Sequence, residues 1–345
     1  MTLHSEIFEQ PACLERLLST QREKIEKIAA SIRQSPIQYA FVAARGTSDN
    51  AARYAQYLWG AANQLPLALA TPSLFTYYQQ PPQLKGALVV GISQSGQSPD
   101  IVRVLDEGRR QGCLTLAITN APTSPLAAAA DLRIDIQAGQ ENAVAATKTY
   151  TTQLMAIAML SAALLDSPQA WEELHTVPEW VARVLALDEP IAQMAQRYRY
   201  MDHCVVLGRG FNYATAFEWS LKLKELTYVV AEPYSSADFR HGPIAMVGEG
   251  FPVMAVVPQG QVFSTLFELL ENLRHTQGAE LVVISDREDA LALAQSPIAL
   301  PPGIPEWLTP IVSIVPAQLF AYHLTRVKGY DTESPRSIRK ITRTQ

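Results

Sequence analysis

Short apolar runs rich in β-branched residues recur along this 345-residue chain, and each stops at a polar loop before a helical pattern begins. Residues 40–44 lead to Arg45-Gly46-Thr47-Ser48 and a helix through Trp59. Residues 87–92 lead to Ser93-Gln94-Ser95-Gly96-Gln97-Ser98, with Pro99 next. Residues 114–119 end at Asn120, and 132–136 run through a loop to a long helix starting near Thr147. Strands that alternate with helices need crossover connections, and crossovers make neighbouring strands parallel.

The scheme then repeats. Residues 204–207 end at Gly208-Arg209-Gly210, residues 253–257 at Pro258-Gln259-Gly260, and residues 281–284 at Ser285-Asp286. The expected fold class is α/β, with two tandem three-layer α/β/α sandwiches and mainly parallel sheets. The first spans 1–166 with a leading helix and the second 201–327. Between them, 167–200 carries scattered charge with Pro178 and Pro190 and reads as a helical connector. The tail 328–345, with Gly329, Pro335, Arg336, Arg339 and Lys340, is too polar for a core.

Composition narrows the function. With 48% hydrophobic residues, both halves can bury a core, which a chain of this length divides into domains. A net charge of −5 and the lack of any run of five Lys or Arg argue against nucleic acid as a partner. Cys13, Cys113 and Cys204 are odd in number, far apart and without CxxC spacing, so they read as reduced core thiols. The start, MTLHSEIFEQP, has no basic segment followed by an apolar one. No apolar run reaches the roughly 18 residues a membrane span needs. The expectation is a cytoplasmic protein with no membrane partner.

Segment 93–98 packs three hydroxyls, an amide and a glycine between a strand and a helix marked by Pro99. It reads either as an N-capping loop, which needs only one hydroxyl, or as an anion cradle at the carboxyl end of a parallel strand. Thr47 and Ser48 end the preceding strand in the same kind of position. Neither a P-loop nor a GxGxxG fingerprint is present, so nucleotide binding loses ground. Over 214–230, Ala216, Trp219, Leu223, Leu226 and Val230 form one buried helical stripe, with Glu218, Lys222 and Glu225 on a neighbouring face. Those charges read either as a solvated ladder or, with Phe217 and Leu221 widening the apolar surface, as a partly desolvated group containing a general base. His241 sits in the loop Phe239-Arg240-His241-Gly242-Pro243, either as a surface histidine or as a functional one. His4, His175, His203, His275 and His323 have no ligand spacing, so no metal site is expected.

Together these segments resemble the sugar isomerase (SIS) domain family, in particular the isomerase portion of glucosamine-6-phosphate synthase and stand-alone SIS-type glucosamine-6-phosphate deaminases. The resemblance runs from Glu6-Ile7-Phe8-Glu9-Gln10-Pro11 through Arg45-Gly46-Thr47-Ser48-Asp49 and Ser93-Gln94-Ser95-Gly96-Gln97-Ser98-Pro99-Asp100 to Val144-Ala145-Ala146-Thr147-Lys148. It continues through Leu207-Gly208-Arg209-Gly210, Leu221-Lys222-Leu223-Lys224-Glu225 and Arg240-His241-Gly242-Pro243, and ends near Pro335-Arg336. It implies two SIS-type sandwiches and a phosphosugar substrate held by Ser93, Gln94, Ser95 and Ser98, with Thr47 and Ser48 beside it and Val144 offering backbone. It also implies that Glu225 moves a proton between C1 and C2, that Glu218 and Lys222 support it, and that His241 assists ring opening from the partner subunit of a homodimer. Lys340 matches the C-terminal lysine that forms a Schiff base with the ketose in the synthase. No cofactor is implied.

The chain departs from the synthase pattern at Arg45, where the synthase has Cys, at Gln97-Ser98, where it has Glu-Thr, and at Ala146, where it has Ser. The synthase also carries an N-terminal glutaminase domain, for which this sequence has no counterpart. These departures resemble the deaminase branch, so the expected reaction is glucosamine 6-phosphate and water to fructose 6-phosphate and ammonia. A fructosamine-6-phosphate deglycase and a non-catalytic phosphosugar sensor are the alternatives.

Overall fold

In a computed structural model, residues 2–340 are described, and they group into two compact units. One comprises residues 9–142, 146–178 and 338–340; the other comprises 2–8, 143–145 and 179–337.

The first unit holds five parallel strands in the order β2-β1-β3-β4-β5: β1 (Tyr39–Ala43), β2 (Leu67–Leu69), β3 (Ala87–Ser93), β4 (Leu114–Thr119) and β5 (Leu132–Asp135). All seven residues of β3 are buried, which is why its sequence is a continuous apolar run rather than an alternating one. The helix Lys148–Leu165 is buried nearly all round, as the largely apolar run from Leu154 onward demands. Against it the Trp59 indole N–H donates to Ile157 O (3.3 Å), fixing the helix Thr47–Asn63, and Arg33 on the helix Gln10–Gln34 donates to Ala163 O (2.5 Å). Because β1 and β3 are neighbours while β2 lies outside β1, the chain reverses its winding direction between them. Sheets of this type take ligands at the carboxyl ends of the strands flanking that reversal. Loops 45–48 and 93–98 lie there, at the ends of β1 and β3.

In the second unit the order is β10-β9-β8-β6-β7, again all parallel: β6 (His203–Gly208), β7 (Val230–Ser235), β8 (Pro252–Val256), β9 (Glu280–Ser285) and β10 (Ser296–Ala299). Read from the β7 end, this is the strand order of the first unit, so the repetition in the sequence is a repetition of topology. The edge strands β7 and β10 carry Pro233 and Pro297, tolerable where one side of the ladder has no partner. The helix Thr309–Val327 forms this unit's core. It is long and apolar enough to cross a membrane by composition, yet 94% of its apolar window is buried within the fold.

The structure corrects one helix. The segment expected as a helix over 214–230 is an α-helix Tyr213–Lys222, then a π-helical turn Leu223–Thr227, and it stops at Tyr228, which has φ of 60°. Ala216, Trp219, Leu223 and Leu226 are buried as expected, whereas Val230 is 59% exposed and opens β7. The short strands β2, β7 and β10 were not legible as strands, because three to six residues at a sheet edge carry little periodicity. All three cysteines are free and buried, and burial pushes the Cys204 thiol up to about 12.

A Cβ on Gly91 in β3 would stand 2.7 Å from Leu126 and 2.8 Å from Leu105. The G91A variant is therefore expected to lose about 1–3 kcal/mol of stability. G60A, in open space on the helix Thr47–Asn63, should keep or slightly raise it. Denaturant midpoints of the two variants check this.

Candidate functional site

The loop after β3 is held by its own polar groups. Gly96, with φ of 61°, donates its N–H to Ser93 Oγ (3.1 Å), and Gln97 N–H donates to Ser95 Oγ (3.3 Å). Asn120 N–H donates to Gln94 O (3.2 Å), tying the loop to the end of β4. Gly96 is required here, because a Cβ would lie 2.0 Å from Ser124 Oγ. Ser98 is the N-cap residue of the helix Pro99–Arg110, yet its side chain makes no capping bond. The loop therefore has more hydroxyls than capping uses, and Ser98 Oγ remains available at the positive end of the helix dipole.

Thr47 and Ser48 begin the helix Thr47–Asn63, behind Gly46 with φ of 53°. Ser48 is buried and accepts a hydrogen bond from Gln153 Nε2 (3.0 Å). Arg45, at the end of β1, donates from Nε to Asp100 Oδ2 (2.8 Å), and the Asp100 side chain is fully buried. This ion pair joins loop 45–48 to the start of the helix Pro99–Arg110 that follows loop 93–98. A buried carboxylate without a cation is costly, so Asp100 depends on Arg45.

The corresponding loop of the second unit, after β8, has no hydroxyl cluster. Gln261 N–H donates to Glu306 Oε2 (3.0 Å), and a Cβ on Gly260 would collide with that carboxylate at 2.1 Å. An internal carboxylate thus takes the backbone donor that an anionic ligand would take.

What the second unit offers instead is a row of charge. Lys222 Nζ lies 3.4 Å from Glu218 Oε1 and is hydrogen-bonded to Glu225 Oε2. Glu218 and Lys222 are fully buried, and the Glu225 side chain is 24% exposed. The row is not a solvated ladder: one ammonium serves two carboxylates away from water, and Glu225 is the carboxylate a ligand can reach. Glu225 lies on the π-helical turn, a wider turn that recurs at functional sites. His241 follows the helix Ser236–Arg240 and is exposed, with its backbone N–H donating to Asp238 O (3.0 Å); no side-chain bond ties it to the row. Val144 lies in segment 143–145, which belongs to this unit, and Glu6 Oε2 accepts the neighbouring Ala143 N–H (3.1 Å).

Lys340 has a partner that sequence reasoning missed. Its Nζ donates to Glu141 Oε2 (2.5 Å), and the Glu141 side chain is fully buried. Glu141 also accepts the N–H groups of Thr147 (2.9 Å) and Thr149 (3.1 Å) and the Thr149 hydroxyl (2.8 Å). A single carboxylate thus caps the helix Lys148–Leu165 and holds the C-terminal lysine. Only its position ahead of a helix start hints at this, and the bond to Lys340 spans 199 residues. Lys148, buried at that helix start, pairs with Glu9 (2.5 Å).

The family model of the SIS domain matches residues 35–163 and, a second time, 199–328. The glutamine–fructose-6-phosphate aminotransferase (isomerizing) of Thermococcus kodakarensis is 35% identical over 345 residues, covering 97% of this chain and 56% of that protein. The chain spans little more than half the length of such relatives. The C-terminal domain of glucosamine-fructose-6-phosphate aminotransferase from Francisella tularensis superposes with a TM-score of 0.86 at 29% identity, covering 96% of this chain and 98% of that one. A proposed phosphosugar isomerase of Silicibacter pomeroyi has a TM-score of 0.86 at 32% identity, covering 96% and 100% respectively.

Replacing Glu141 by Ala strips the helix start and Lys340 of their common acceptor. The variant is expected to lose about 2–4 kcal/mol of stability. Trypsin should also cut faster after Arg339 and Lys340. Denaturation and timed digestion read the two effects.

Proposed function

The chain belongs to the SIS domain family, and from that premise we propose that it is a phosphosugar isomerase acting on an amino-sugar phosphate: it converts glucosamine 6-phosphate and water to fructose 6-phosphate and ammonia. The observation that carries this reading is the buried row Glu218–Lys222–Glu225, with Glu225 at its accessible end. A carboxylate held beside a buried ammonium keeps a fixed position, as a base that must serve two adjacent carbons requires.

In the proposed reaction, Ser93, Gln94, Ser95 and Ser98, with Thr47 and Ser48, hold the phosphate. Glu225 removes the proton from C2 of the open-chain aldose. The electron pair of that C–H bond forms the C1–C2 double bond of the aminoenol as the aldehyde oxygen takes a proton, and Glu225 then returns its proton to C1 while the amine nitrogen loses one to form the C2 imine. The product is a ketose 2-imine; water adds to C2 and ammonia leaves, giving the ketone with no net oxidation. Lys222 balances the charge of Glu225 through this cycle, and Glu218 holds Lys222. Lys340, held by Glu141, is assigned to the ketose end of the reaction. Val144 contributes backbone to the substrate. The similarity to relatives whose names specify a fructose-6-phosphate aminotransferase supports the sugar.

Purified protein given glucosamine 6-phosphate is expected to release ammonia and form fructose 6-phosphate in equal amounts. In Glu225→Gln, kcat should fall about 10²–10⁴-fold with ligand affinity little changed. Binding without ammonia release in the native protein would overturn the deaminase reading; amino-acid release from a fructosamine 6-phosphate would replace it with a deglycase.

The exposed His241 is assigned to ring opening in the site of a second copy, so that the active unit is a two-fold homodimer with two equivalent sites. Mixing His241→Ala subunits with Glu225→Gln subunits should then restore activity, because one site of each heterodimer keeps both residues. No recovery despite demonstrated subunit exchange would show that His241 does not act across subunits.

A further inference from the structure

His4 and His323, without ligand spacing in the sequence, meet over one carboxylate. His4 lies on the helix Leu3–Phe8, Asp188 opens the helix Asp188–Gln196, and His323 lies on the helix Thr309–Val327. His4 Nε2 is 3.1 Å and 3.0 Å from the two oxygens of Asp188, and His323 Nε2 is 2.7 Å from Oδ1. We propose that His4, Asp188 and His323 form a binding site for a divalent transition ion of the zinc type.

The geometry suits an ion at the centre. The donor atoms of the three side chains all lie within 4.8 Å of one another. Zinc bonds of about 2.0–2.1 Å in a tetrahedron set ligand atoms about 3.4 Å apart. The contacts of 2.7–3.1 Å therefore need to open by less than about an ångström, within the reach of side-chain rotation. The His4 ring is held between Phe8 and Tyr322, each with its centroid 4.8 Å away, and Tyr322 meets His323 edge-on at 5.0 Å. Aromatic walls of this kind keep the imidazoles aimed at the carboxylate.

Donor chemistry and access point the same way. Two imidazoles and one carboxylate favour zinc, nickel or copper over magnesium or calcium, which prefer all-oxygen shells. Exposure of 32% for the His4 side chain and 27% for Asp188, against 10% for His323, leaves one side open for entry and for a water as the fourth ligand. Since the three ligands come from three separate segments, the ion would staple the first helix and the helix at 188 to the core helix of the unit that carries Glu225. None of the three residues takes part in the proposed proton transfer.

The test uses the full chain without a histidine tag, stripped with a chelator, dialysed against zinc and analysed for metal. The expected result is one zinc per chain, a visible absorption band of tetrahedral intensity when cobalt(II) replaces zinc, and affinity weakened roughly tenfold or more in both His4→Ala and Asp188→Asn. His4 is partly exposed near the chain start, so His4→Ala reports on binding even if changes at the buried His323 disturb folding. No retained zinc, or one zinc retained equally by both variants, would overturn the proposal. Metal content is read independently of sugar turnover, so neither result depends on the proposed reaction.

Discussion

A lysine ammonium buried away from water must be neutralised where it stands, and Lys222 is neutralised by two carboxylates at once. That requirement organises the second unit. It fixes Glu218 one α-helical turn before Lys222, and it draws Glu225 back to the same ammonium across the start of the π-helical turn. Removing Lys222 would leave two carboxylates without their cation, so the ammonium is the member on which the row depends. Its outer member is then a carboxylate with a fixed position and an open face.

The first unit carries the proposed phosphate cradle, which contains no Lys or Arg of its own. It uses the end of a parallel sheet, where β1 and β3 diverge, and a loop whose hydroxyls and backbone N–H groups face the start of a helix. Arg45 and Asp100 clamp that loop to the neighbouring strand end. The second unit repeats the strand order but fills its equivalent loop with Glu306. The repeat therefore kept the scaffold twice and the hydroxyl cradle once.

Much of this was legible in the sequence, for physical reasons. The central strands announce themselves because burial on both faces demands uninterrupted apolar runs, and the hydroxyl cluster 93–98 stands out because capping alone does not need it. Glu218, Lys222 and Glu225 were visible as a row, though spacing alone could not say whether water surrounded them. The rest depended on contacts that local pattern does not encode. Edge strands β2, β7 and β10 are short, the π-helical turn has the same composition as an α-helical one, and the bonds from Glu141 to Lys340 and from Asp188 to His4 and His323 join residues 199, 184 and 135 apart.

The claim on which the account turns is that Glu225 carries the proton between C2 and C1, and isotope exchange addresses it directly. With glucosamine 6-phosphate in deuterium oxide, the native protein should yield fructose 6-phosphate carrying deuterium at C1, because a carboxylic acid near the surface exchanges with solvent between the two transfers. Glu225→Gln should incorporate none above the uncatalysed rate while still binding the sugar. Incorporation at C1 by Glu225→Gln at the native rate would contradict the account, since some other group would then be moving the proton.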